Sequence, residues 1–203
     1  MFLTDYLKCN KKRKGENKLM AKGFLIESMI QAKNIDALNR SAISEIDVDG
    51  GCLVALTAPT VKGEDRWTAS APTSGKLGNL WMAYNPSVKY ISINGKQFAG
   101  LSEDIRDYTN KAGNTFDVFK LKKDDEVIIS VDCVESTSQA SVVAGDFLEA
   151  KADQTTFTRV ASGTGATAGS TALKVELVDT VDFPKASIGV DKVKVFKAVV
   201  VQE

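Results

Sequence analysis

Residues Trp81 to Asp132 read WMAYNPSVKYISINGKQFAGLSEDIRDYTNKAGNTFDVFKLKKDDEVIISVD, and the punctuation of this run decides the fold class. Segments at Lys89 to Ile93 and Glu126 to Val131 alternate in the manner of strands, and Asn85-Pro86 and Asn94-Gly95 supply tight turns between such segments. Phe116 to Leu121 alternates with period two, so Phe116, Val118 and Lys120 share one face and Asp117, Phe119 and Leu121 the other. Between these strands one short helix is predicted over 102–112. Ser102 is its N-cap, Glu103 and Asp104 place negative charge in the first turn, Ile105 and Tyr108 or Thr109 share a face, and Gly113 ends it. A helix this short is not stable alone and must dock on the surrounding strands. Its role is therefore structural, with Asp104, Arg106 and Asp107 pairing locally or capping neighbouring loops.

Working outward towards the N-terminus, Arg66 to Ala71 and Leu80 to Tyr84 read as short strands, and Cys52 to Thr57 as a buried one. Asp49-Gly50-Gly51 carries a hairpin signal. Asn34 to Asn39 and Ser41 to Val48 lack a helical stripe, and Gly23 to Ile30 leans towards strand. Beyond the central run, Ser136 to Ser141 is small and polar and suits a linker. Val142 to Ala150, Thr155 to Val160, Leu173 to Val178 and Val193 to Val201 follow as strands, with a flexible exposed loop at 161–170 and another loop bounded by Phe183-Pro184 and Ile188-Gly189. The chain is thus expected to be mainly β, built as β-sandwich or barrel-like lobes with one short helix. The expected division is a lobe over 20–135 and a smaller β lobe over 142–203.

Residues 1–19 are set apart as a mis-annotated or disordered extension. Lys11-Lys12-Arg13-Lys14 has the look of a nucleic-acid arm, but Lys14-Gly15-Glu16 can be encoded by AAAGGAGAA, which contains a bacterial ribosome-binding sequence, and Met20 then follows as the start. With zero formal net charge overall, the six cations and two carboxylates of this segment leave the remainder at −4, a poor match to nucleic acid. No apolar run approaches the roughly 20 residues of a membrane helix, and no leader pattern is present. Neither a nucleic-acid nor a membrane partner is expected.

The chemistry is mostly one of exclusion. With no histidine among its 203 residues, the chain lacks the commonest general base and the usual serine and cysteine triads. Cys9, Cys52 and Cys133 are odd in number and widely spaced, which suits free thiols better than a disulfide framework or a metal knuckle. Asp47 and Asp49 with Gly50 lack the third ligand and the distal Glu of a calcium loop. Thr73-Ser74-Gly75-Lys76 lacks the upstream Gly of a phosphate loop, and Asp124-Asp125 reads as a solvated turn. No catalytic, cofactor-binding or metal-binding residue is assigned. Trp67, Trp81, Tyr84 and Tyr90 are candidates for a sugar- or base-stacking platform, although aromatics at strand spacing more often serve a core or an interface.

One resemblance sharpens this. Tyr84-Asn85-Pro86, the run from Gly100 to Asn110 (GLSEDIRDYTN), Ala112-Gly113 and Phe116 to Lys120 resemble a family of small virion structural proteins of tailed phages and prophages of Gram-positive bacteria. The ending from Ile188-Gly189 through Val193 to Lys197 and on to Val201 is similar too, so the resemblance covers most of 20–203. It implies a capsid decoration protein on the virion exterior, made in the bacterial host cytoplasm, that binds the major capsid protein and performs no catalysis. A homo-oligomer, with a trimer matched to three-fold lattice points, would let weak contacts act together. Trp81, Tyr84, Phe116, Val118 and Phe119 are the candidate interface residues, since interface cores favour aromatics. A head-completion or tail protein is the alternative within the virion, and a carbohydrate-binding surface module the alternative outside it.

Overall fold

Alternation explains where the strands lie. In β7 (Thr115–Lys120) the side chains of Phe116 and Val118 turn inward, while those of Thr115 and Asp117 face solvent. The computed structural model describes residues 22–30, 36–59, 63, 65–86, 90–93, 96–99, 105–184 and 190–202. Over these the chain is mainly β. A closed barrel has the strand order β1 (Asn39–Ser44), β3 (Arg66–Ser70), β2 (Leu53–Thr57), β4 (Trp81–Ala83) and β7. Strands β1 and β3 are parallel, and the other barrel pairs are antiparallel.

A second sheet has the order β10 (Thr158–Val160), β9 (Phe147–Glu149), β11 (Ala172–Pro184), β12 (Val190–Gln202) and β8 (Glu126–Ser130). The hairpin of β5 (Tyr90–Ile93) and β6 (Lys96–Ala99) forms a two-stranded sheet by itself, as the Asn94-Gly95 signal predicted, although that dipeptide lies outside the described residues. Asp49-Gly50-Gly51 does turn the chain, with Gly51 at φ +77°. It does not make a hairpin, because β3 lies between β1 and β2.

The predicted helix over 102–112 is corrected where it can be seen. Only a 3-10 turn at Ile105–Asp107 forms, and Ser102, Glu103 and Asp104 lie outside the described residues. The backbone of Asn110 is drawn instead into a bridge with Val48, closed by two N–H···O bonds of 2.9 Å, and this requires extended geometry. Every other helical segment among the described residues is likewise a three-residue 3-10 turn. Residues 1–19 also lie outside the described residues.

The two expected lobes share one core. After β7 the charged turn of Lys122 to Asp125 redirects the chain, with Asp124 at φ +72° and the Asp125 carboxylate accepting from the Lys122 amide at 3.0 Å. Strand β8 then joins β12 in the second sheet, so the break expected at 136–141 does not part the sheets. Val127 and Ile129 from β8 pack in a single buried cluster with Leu53, Met82 and Phe119 of the barrel and with Leu148, Leu173 and Phe196 of the sheet. A smaller cluster of Phe24, Val193 and Val195 lies against Ile26, Ile105 and Ile128.

Candidate functional site

The barrel strands bring their polar and aromatic ends to one rim. Antiparallel register sets Asn39 against Phe119 and Trp81 against Lys120, and the parallel β1–β3 pair sets Ser41 against Arg66. The first residues of β1, β3 and β4 therefore meet the last residues of β7 at the same end. There the exposed Arg40 guanidinium lies 5.8 Å from the ring centroid of Trp67 and 5.9 Å from that of Trp81. Both indoles are half-buried, so each contributes a fixed apolar surface while a charged group is held between them. Sequence reasoning singled out both tryptophans but missed Arg40. The signal is three-dimensional, because no periodic pattern joins residues 40, 67 and 81.

The other expected interface residues go elsewhere. Phe116, Val118 and Phe119 are buried in the core of this chain and cannot offer a contact surface. Strand β7 is buried on both faces, since Phe119 lies beside Tyr84 and opposite Met82 within the shared core while Phe116 and Val118 also point inward. Tyr84 is half-buried, with its ring 4.8 Å from that of Phe119 and its hydroxyl donating to Asn39 Oδ1 at 3.1 Å. Burial, reinforced by the negative charges of Glu27 and Asp117, pushes its phenol up to about 12. Of the five, Trp81 and part of Tyr84 stay accessible. The structure says nothing of the Tyr90 side chain, which lies outside the described residues.

The residues assigned to the helix act as struts. Arg106 NH1 bonds Asp191 Oδ2 at 2.7 Å and ties the 3-10 turn to β12. Asp107 closes that turn, and Tyr108 is buried, with its amide donating to the Ile105 carbonyl at 3.2 Å. Asn85 was read only as a turn residue, yet its side chain clasps the N-terminal segment. Its Nδ2 donates to the Leu25 carbonyl at 2.6 Å and its Oδ1 accepts from the Leu25 amide at 2.9 Å. A Cβ on Gly50 would stand 2.2 Å from that Oδ1. Gly50 is therefore required by close approach.

Cys52 and Cys133, distant in sequence, come together as buried free thiols. A hydrogen bond with Cys133, added to burial, pushes the Cys52 thiol well above its ordinary value. Such a thiol is unreactive at neutral pH. The buried carboxylate of Asp146 receives three donors. It accepts from Arg159 Nε at 2.6 Å and from the amides of Val143 and Ser162 at 3.1 Å each. Burial alone would raise its pKa, but these donors together hold it below the ordinary carboxylate range. An open depression on the barrel wall is lined by Ser41, Asp65, Arg66 and Thr115. Three of these four residues are engaged within the wall, where Ser41 donates to Asp117 and Arg66 to Thr115. Among the described residues, no group of three or more Cys, Asp or Glu is arranged to hold a metal ion, and no helix is long and apolar enough to cross a membrane.

No protein-family model, curated protein or solved structure matches the chain.

Proposed function

We propose that this chain is a phage virion structural protein, a capsid decoration protein that binds the assembled major capsid lattice as a homo-oligomer. The observation that carries this reading is the rim at which Arg40 is held between Trp67 and Trp81. Tryptophan and arginine are the residues that most often dominate binding energy at protein interfaces, and a prearranged guanidinium loses little freedom when a partner docks. The resemblance of Tyr84 to Lys120 to small virion proteins points the same way. A rigid β body repeated over a symmetric lattice gains avidity from many modest contacts. Of the contact surface proposed from sequence, Trp81 is accordingly kept, the buried Phe116, Val118 and Phe119 are dropped, and Arg40 and Trp67 are added. A glycan-binding role is the weaker reading, since Arg40 already covers ring surface on which a sugar would stack.

Purified protein mixed with capsids that lack it should co-sediment with them. Arg40→Glu should reduce the bound fraction at least tenfold, a loss of about 1.4 kcal/mol or more. Protein that stays in the supernatant at every salt concentration while binding a glycan array, or that turns over a substrate, overturns the reading.

A further inference from the structure

The β11–β12 hairpin runs past the sheet in which it is rooted. Strand β9 pairs with β11 only over Ala172 to Lys174, and β8 with β12 only over Val195 to Val199. The loop at Gly145 and Asp146 reaches β11 only as far as Val175, through bonds of 2.7 and 2.9 Å. Register then shifts between Val175 and Leu177, which leaves Leu177 half-exposed on the outer face. Among the described residues no strand pairs with the outer edge of β11 from Glu176 to Pro184, nor with that of β12 from Val190 to Lys194. Each edge presents a row of backbone donors and acceptors, which is a template for another strand.

Charge is divided between the two strands of this hairpin. Beyond the exposed Lys174, β11 carries the exposed acids Glu176, Asp179 and Asp182; on β12, Asp191 is neutralised by Arg106 at 2.7 Å, Lys192 is exposed, and Lys194 and Lys197 are half-buried. Lys197 is committed to Glu126 at 2.9 Å and Glu176 at 3.8 Å, whereas among the described residues no ion pair engages Asp179, Asp182 or Lys192. Pairing β11 with β11 of a second copy would set acid against acid, and pairing β12 with β12 would set lysine against lysine. Like charges directly opposite one another destabilise a strand pair. Among the described residues, pairing β11 of one copy with β12 of the next brings the exposed acids against Lys192 and Lys194.

We propose that the hairpin is a self-association element, in which the acidic β11 edge of one copy adds as a strand to the basic β12 edge of a second copy. This head-to-tail contact closes into a ring when the rotation per copy permits. The inference rests on the oligomer in the reading above and supplies its interface. It is tested on free protein with no capsid present, so that its failure is distinct from a failure to bind capsids.

Sedimentation velocity of the full chain over a concentration series should show association that weakens as salt rises. The double variant Asp179→Lys/Asp182→Lys and the single variant Lys192→Glu should each weaken it at least tenfold while circular dichroism shows each variant folded; because Asp182 and Lys192 face each other within the hairpin, each variant also sets like charges across it and should lower Tm by about 1–4 °C. An equimolar mixture of the two variants should associate more strongly than either alone, since the native β11 edge of one meets the native β12 edge of the other. A parent protein that sediments as a monomer at every concentration overturns the proposal. Folded variants that associate as the parent does, or a mixture that gains nothing over its components, also overturn it.

Discussion

Removal of the Asp146 carboxylate by Asp146→Ala tests the energetic account most directly. Its side chain is 2% exposed, and it receives one guanidinium and two backbone donors. Hydrogen bonds to a charged group contribute about 1.5–3 kcal/mol each, yet truncating one member of a buried pair typically costs only about 3–5 kcal/mol in total. Arg159 is 27% exposed, so solvent recovers part of its loss while the amides of Val143 and Ser162 are left wanting. We expect a destabilisation of about 3 kcal/mol, which in a chain of this size lowers Tm by about 6–12 °C. Asp146→Asn keeps an acceptor and should lose about half as much. The sign with pH is fixed by the depressed pKa. The contribution of Asp146 is fully present above the unfolded carboxylate value of 3.8 and is lost as pH falls through the lower folded value. Urea unfolding of parent and variant at neutral pH and again in acid gives both quantities. A loss below about 1 kcal/mol at neutral pH, the range of exposed ion pairs, would refute the argument.

Gly50→Ala should cost about 2–4 kcal/mol by driving a methyl into Asn85 and releasing its hold on Leu25, and a chemical melt of the variant measures this. Arg106→Ala should cost only about 1 kcal/mol, because Asp191 is 37% exposed; a Tm equal to that of the parent would show the strut at 105–107 to be idle. Cys52 and Cys133 should resist a thiol reagent in the native state at neutral pH and react together on denaturation; rapid native labelling of either would contradict their burial.

Strands whose faces differ were the legible part of this sequence. Phe116 and Val118 against Thr115 and Asp117, the Val- and Ile-rich Glu126–Ser130, and the closing Val190–Gln202 all announce themselves by period or by β-branched content. Asn39–Ser44 does not, because its inward residues are Ala42 and Ser44, too small and too polar to register as a core face. Residues 105–112 carried helix signals that lost to a long-range bridge with Val48, a contact no local window contains. The contact surface was misplaced for a related reason. Period two separates the sides of a strand but cannot tell that the Phe119 side is buried rather than open to solvent, and it cannot bring Arg40 to Trp67 and Trp81.

The passage of β8 from the barrel into the sheet of the last strands has a consequence for how the molecule comes into being. Val127 and Ile129 find their partners Phe196 and Ala198 only after a further 67 or more residues, so the first half of the chain waits with apolar side chains uncovered until its C-terminal strand arrives. Such distant pairing slows folding and lengthens the life of sticky intermediates. Loss of the last strand by proteolysis or a premature stop would strip β8 of its neighbour and open the core of the barrel as well. Strand β12 is thus the clasp of the shared core, and a chain shortened before Val190 should fail to close it.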